Sequence, residues 1–124
     1  GLGLVHAISH MVGAEYDTHH GLTNAITLPA VLRFNADAIS AKVPDLTHMM
    51  GLSDHSFDGF YGAICDWLDQ LDIPKNLSEL GIPDDAVSRL AEKTMKDSAY
   101  GTNPKASTQA EIETLMMEAL HNGR

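Results

Sequence analysis

The chain has 124 residues, 44% of them apolar, and a formal net charge of -9 from 8 Lys and Arg against 17 Asp and Glu. That length and composition suit one globular domain able to bury roughly two-thirds of its unfolded surface. The acidic balance argues against nucleic acid and anionic membranes as partners, and no apolar run approaches the roughly 18 residues of a membrane span. No basic n-region or cleavage site marks a signal peptide. The single cysteine, Cys65, cannot pair within the chain. It is expected to be a small packed hydrophobe on a helix face, in keeping with a reducing, cytoplasmic setting.

In chain order, residues 2–16 place Leu2, Val5, Ile8 and Val12 three and four apart, the period of one helical face. Asp17, Thr18 and His19 break that pattern. Residues 20–42 carry Leu22, Ile26, Val31, Leu32, Phe34 and Ile39, and Pro29 within them is expected to kink or break the helix. "PDLTHMMGL" predicts a short helix with Pro44 at its start and Gly51 as its stop. Residues 56–72 set Phe57, Phe60, Tyr61, Ile64, Trp67, Leu68 and Leu71 on one apolar stripe that Pro74 ends. Asn76 or Ser78 caps a single turn stopped by Gly81. Pro83, Asp84 and Asp85 then open a helix whose stripe is Val87, Leu90, Ala91, Thr94 and Met95. "YGTNPKAS", with Gly101, Asn103 and Pro104, reads as a loop. Thr108 and Glu111 have the capping-box spacing, ahead of a buried face made by Ile112, Leu115, Met116 and Ala119. No segment carries strand periodicity. The expectation is one all-α, bundle-like domain over residues 1–124 with about five to seven helices.

Four of the seven histidines, His6, His10, His19 and His20, fall in the first twenty residues. His6 and His10 lie four apart, so both leave the same face of the first helix. If the polar break is a tight turn, His20 folds back towards that face and three imidazoles converge. Neutral imidazole ligates zinc, iron and nickel. A His-x-x-x-His pair on a helix also occurs as an ordinary surface pair, so spacing alone leaves metal binding open. His19, beside His20, must point elsewhere and reads as a loop residue. Helical zinc proteases place a glutamate directly after the first of their two histidines. Ala7 and Ser9 stand next to this pair instead, so hydrolysis is poorly supported. His48, His55 and His121 read as solvated or structural.

The stretch "GLGLVHAISHMVGAEYDTHHGLTNAITLPAVLRFN" resembles the iron-dependent, or group III, alcohol dehydrogenases. Their pattern G-x-x-H-x-x-x-H-x-x-G-A, a short loop, then H-G-x-x-N-A-x-x-L-P is met by Gly3, His6, His10, Gly13, Ala14, His20, Gly21, Asn24, Ala25, Leu28 and Pro29. The ending "GTNPKASTQAEIETLMMEAL" is similar to the family's closing loop and helix. The resemblance implies the C-terminal helical half of a dehydroquinate synthase-like fold. His6 and His20 would be ligands of Fe2+ or Zn2+, and His10 would line the cleft beside the nicotinamide and substrate. There His10 would contact the cofactor and relay a proton as a catalytic residue. The family's aspartate and first histidine ligand, with an NAD(P)-binding N-terminal domain, would lie upstream, which would account for the abrupt start at Gly1. His19 stands where many members have proline. The implied reaction interconverts a small alcohol and an aldehyde or ketone, with possible homo-oligomers. With two metal ligands and no dinucleotide turn, this chain alone is expected to have little or no activity. The alternative is a stand-alone helical interaction or oligomerisation module whose metal site is vestigial.

Overall fold

The computed structural model describes residues 3–97, 100–103 and 105–123. Leu2 and Pro104, both used in the sequence expectations, lie outside them. Six α-helices occur among the described residues: α1 (Gly3–Tyr16), α2 (His20–Ile39), α3 (Val43–Met49), α4 (Phe57–Gln70), α5 (Val87–Met95) and α6 (Gln109–His121). Short 3-10 turns fill Ser40–Lys42, Leu77–Leu80, Asp84–Ala86 and Tyr100–Thr102, and no strand occurs among the described residues. The all-α expectation therefore holds. Among the described residues, no helix is long and apolar enough to cross a membrane.

The main core joins four helices. α1 packs on α2 and α5, and α6 packs on the same two. Leu4, Val5, Ile8 and Val12 of α1 meet Ile26, Ala30 and Val31 of α2, Leu90 of α5, and Ile112, Leu115 and Met116 of α6. A smaller cluster of Leu32, Val43 and Phe60 joins the later part of α2 to α3 and α4. Each fully buried Val, Leu, Ile or Met contributes about 1.5–3 kcal/mol relative to its exposed state.

That arithmetic explains the first correction. Pro29 does not break the second segment: α2 runs unbroken from His20 to Ile39 through it. Proline in a helix interior costs about 3 kcal/mol. Ile26, Ala30, Val31 and Leu32 around it are buried, and two such side chains already offset the cost. The segment ends sooner than expected, since 40–42 tighten into a 3-10 turn. A second correction concerns α4. Phe60 and Leu68 are buried, but Trp67 and Leu71 are 55% and 70% exposed. The smaller cluster reaches along α4 as far as Ile64, and beyond it Leu68 is buried while Trp67 and Leu71 face away. Cys65 is half-buried on this helix. The expected "YGTNPKAS" loop contains the 3-10 turn Tyr100–Thr102.

Helix ends follow their residues closely. Thr108 and Glu111 make both capping-box bonds, 3.2 and 3.0 Å. Asn76, rather than Ser78, caps the turn at Leu77–Leu80, again reciprocally with Glu79. Ser56 caps α4, and Asp54 accepts from the Ser56 hydroxyl and amide at 2.6 and 2.9 Å. Those bonds, the hydroxyl's foremost, hold the Asp54 carboxyl below its usual range. α2 is capped unexpectedly by His19, whose Nδ1 accepts from the Leu22 amide at 3.2 Å. His19 is therefore not a bystander.

Polar ties also bind the elements to one another. On α1, Glu15 takes a bidentate bond from Arg89 of α5, at 2.8–3.0 Å, and a 2.6 Å bond from Lys93. The Arg89 guanidinium foremost, then Lys93, pulls the Glu15 carboxyl from 4.5 down to about 2. Arg33 of α2 bonds Glu118 of α6 and the Gly123 carbonyl, both at 2.9 Å, and lies over the Tyr61 ring of α4. Buried Asn35 and half-buried Asn103 exchange two amide bonds of 2.9 Å, fixing the segment before α6 onto α2.

Two expectations follow. Replacing His19 by Ala removes a helix cap and lowers stability by about 0.5–1 kcal/mol, the lower half of the usual cap range. Thermal unfolding reads this, and His19→Asn, a good cap, retains most of the stability. Glu15 has a depressed folded-state pKa, so its contribution is present above 4.5 and is lost as pH falls towards about 2. The melting-temperature gap between wild type and Glu15→Gln is then full near neutrality and closes across that acid window. A gap that stays constant with pH contradicts this.

Candidate metal centre

The site is built by the reversal between α1 and α2. Asp17 takes a left-handed conformation, φ +53, which Asp tolerates better than most residues, and its amide bonds the Gly13 carbonyl at 2.9 Å. The Thr23 hydroxyl lies 2.8 Å from the Thr18 hydroxyl and 2.9 Å from the His19 carbonyl. With His19 spent on the cap, His20 becomes the first residue of α2. It turns back across the face of α1 that carries His6 and His10.

The three imidazoles expected to converge do so. Ring centres are 5.6 Å apart for His6 and His20, 5.4 Å for His10 and His20, and 6.2 Å for His6 and His10. His10 and His20 are stacked at 17°, whereas His6 is tilted 46° to His20. Two imidazoles sharing one divalent ion, with metal–nitrogen bonds of about 2.1 Å, have ring centres on the order of 5–6 Å apart. The His6–His20 pair meets that spacing. Among the described residues, no three His, Cys, Asp or Glu side chains are grouped closely enough to hold an ion. The donors present thus fit part of a metal site, one face of it.

Two neighbours escaped the sequence reading. The Asn24 amide, one turn after His20 on α2, lies with Nδ2 3.1 Å from His20 Nε2, while its buried Oδ1 has no hydrogen-bond partner among the described residues. An ion taken up through Nε2 must displace this amide. The signal was present as an i, i+4 spacing. The second neighbour is Asp97, whose carboxylate oxygens lie 3.0 and 3.2 Å from His10 Nδ1. It follows the end of α5 by two residues, where a negative charge opposes the helix dipole. That misfit was the one hint in the sequence that this carboxylate has a partner.

Beside the imidazoles runs a cleft of about 240 Å³ lined by Val5, His6, Asn24, Ala25 and Leu28. Apart from His6 and Asn24 its walls are apolar. A larger hollow of about 320 Å³, lined by Arg33, Phe34, Asp37, Lys105 and Glu111 among others, begins on α2 at Arg33, 13 residues and roughly 20 Å of helix beyond His20. Its cations are already engaged, Arg33 by Glu118 and Lys105 by the Phe34 carbonyl and ring. The remaining histidines are structural in their contacts. His55 Nδ1 lies 2.9 Å from the Thr47 hydroxyl, and His121 pairs with Asp84 at 3.1 Å.

Comparison with known proteins identifies the family of the chain. Residues 1–120 match the model of the Fe-containing alcohol dehydrogenase family, C-terminal part. Lactaldehyde reductase of Escherichia coli is 34% identical over 121 residues, covering 93% of this chain and 32% of that protein. NAD-dependent methanol dehydrogenase of Bacillus methanolicus is 30% identical over 129 residues, covering 97% and 33%. The crystal structure of a 1,3-propanediol oxidoreductase superposes with a TM-score of 0.87 at 32% identity, over 94% of this chain and 32% of that one. The chain therefore spans about a third of the length of these relatives. With the match running from residue 1 to residue 120, the chain belongs to the Fe-containing alcohol dehydrogenase family, as its C-terminal helical part.

Proposed function

We propose that this domain forms the metal-binding wall of an NAD(P)-linked oxidoreductase that interconverts a small alcohol with its aldehyde or ketone. The observation that carries the reading is the convergence of His6, His10 and His20 from two helices beside an apolar cleft. The activities of the relatives, lactaldehyde reductase and methanol dehydrogenase, support the substrate class.

In this reading His6 and His20 each give a ring-nitrogen lone pair to a divalent iron or zinc ion. An aspartate and a further histidine, with the nucleotide-binding domain, come from polypeptide outside these 124 residues. When bound, the ion supplies Lewis acidity and the nicotinamide takes up or returns hydride. The chain's own residues do the rest. Val5, Ala25 and Leu28 present carbon to the substrate and exclude water. Asn24 steadies the His20 ring until that nitrogen is needed. His10, at the exposed edge of the cluster, accepts the hydroxyl proton at Nε2 during oxidation and returns it during reduction.

A two-donor site binds weakly, because affinity grows with ligand number and preorganisation. The 124-residue chain is expected to show a small rise in melting temperature with millimolar Zn2+ or Fe2+. His6→Ala or His20→Ala abolishes the rise, and the chain alone shows no detectable NAD-linked alcohol oxidation. An unresponsive wild type removes the metal reading and leaves a helical interaction module. Turnover by the chain alone overturns the need for outside residues.

A further inference from the structure

His10 is gripped on one ring edge only. Its Nδ1 faces both oxygens of Asp97, at 3.0 and 3.2 Å. The Asp97 side chain is 12% exposed, against 41% for His10. The partners stand 87 residues apart in sequence, so the contact is a product of the α1–α5 packing and not of local chain geometry. The same packing brings Glu15, further along α1, to Arg89 and Lys93. The charge in contact with the His10 ring is Asp97. The His20 and His6 rings lie alongside, at 5.4 and 6.2 Å between centres.

The chemistry of the pair fixes where the proton resides. An ionised carboxylate has lone pairs and no hydrogen, so it can only accept. Nδ1 of a neutral His10 must therefore donate, and Nε2 is left with the lone pair. Reversing the ring or the tautomer would set two lone pairs against each other at about 3 Å, a costly arrangement. Stacking on His20 restricts the same ring from a second direction.

We propose that Asp97 is a positioning residue. It holds His10 in the Nδ1–H tautomer and in one orientation, so that Nε2 is always the nitrogen that meets the substrate hydroxyl. The functional meaning of this hold rests on the reading of His10 given above, but the hold itself is a property of the chain. Carboxylate-oriented imidazoles elsewhere act in this way: replacing the carboxylate with its isosteric amide preserves shape and reverses the tautomer.

The test uses this chain labelled with 15N. Long-range proton–nitrogen correlation spectra of the imidazoles are recorded at mildly alkaline pH, where ordinary histidines (~6.5) are neutral. Wild-type His10 is expected to show a protonated Nδ1 and a bare Nε2. In Asp97→Asn the amide offers its own N–H to Nδ1, and the His10 pattern reverses to Nε2–H. In Asp97→Ala the Nδ1–H preference is lost, and in Asp97→Glu it is partly restored. A merely structural Asp97 would shift the melting temperature and leave the tautomer unchanged. The proposal is overturned if wild-type His10 carries its proton on Nε2, a result that needs no variant to fold. It is equally overturned if folded Asn and Ala variants keep the wild-type pattern. Neither metal nor turnover enters this measurement, so a failure of Asp97's hold and a failure of the proposed reaction give separate results.

Discussion

The arrangement depends on one reversal of the chain, in which α2 is turned back onto α1 by three residues, Asp17, Thr18 and His19. The turn closes because Asp17 accepts a left-handed backbone and His19 caps the helix that follows. Once it is closed, Ile8 and Val12 share one core with Ile26 and Val31. The same register sets the ring of His20 against those of His6 and His10. Hydrophobic burial supplies the free energy and the turn supplies the register. A one-residue slip would rotate His20 by about 100° around its helix and take it away from the cluster.

The neighbours of the imidazoles divide their labour by chemistry. A carboxylate grips His10, a carboxamide touches His20, and apolar side chains with the His20 ring surround His6. A carboxylate imposes a donor role on the nitrogen it meets, whereas an amide can present either its N–H or its carbonyl. The group beside the proposed ligand is thus the adaptable one, and the group beside the proposed proton carrier is the rigid one. That fits nitrogens with different duties: one must exchange its neighbour for a metal ion, and the other must keep the same face throughout.

Much of this was legible in the sequence. The 3.6-residue period gave α1, α2, α4, α5 and α6, and the four-residue separation of His6 and His10 placed them on one face. Thr108 with Glu111 announced the start of α6. The failures have physical causes. Pro29 was expected to kink or break α2, and the break does not occur because the burial of Ile26, Val31 and Leu32 around it offsets the local cost. Trp67 and Leu71 lie on the expected apolar stripe yet stay exposed, because periodicity reports a face and not what lies opposite it. His19 escaped notice as a cap because imidazole is an uncommon one. Asp97 is joined to its partner across 87 residues, a relation no local pattern encodes.

The reciprocal carboxamides of Asn35 and Asn103 carry a consequence for the segment between α5 and α6. Each side chain gives one hydrogen bond to the other and receives one from it, and Asn103 gives a second to the Lys105 carbonyl, so the pair is uncharged and closely tied, with Asn35 only 5% exposed. Neither protons nor dissolved ions act on it directly. The Glu15–Arg89–Lys93 tie between α1 and α5 is ionic and lies near the surface, where added salt screens it over distances of about 10 Å. In strong brine the two ties therefore part company: the grip of α5 on α1 slackens, while the chain leading into α6 stays pinned to α2.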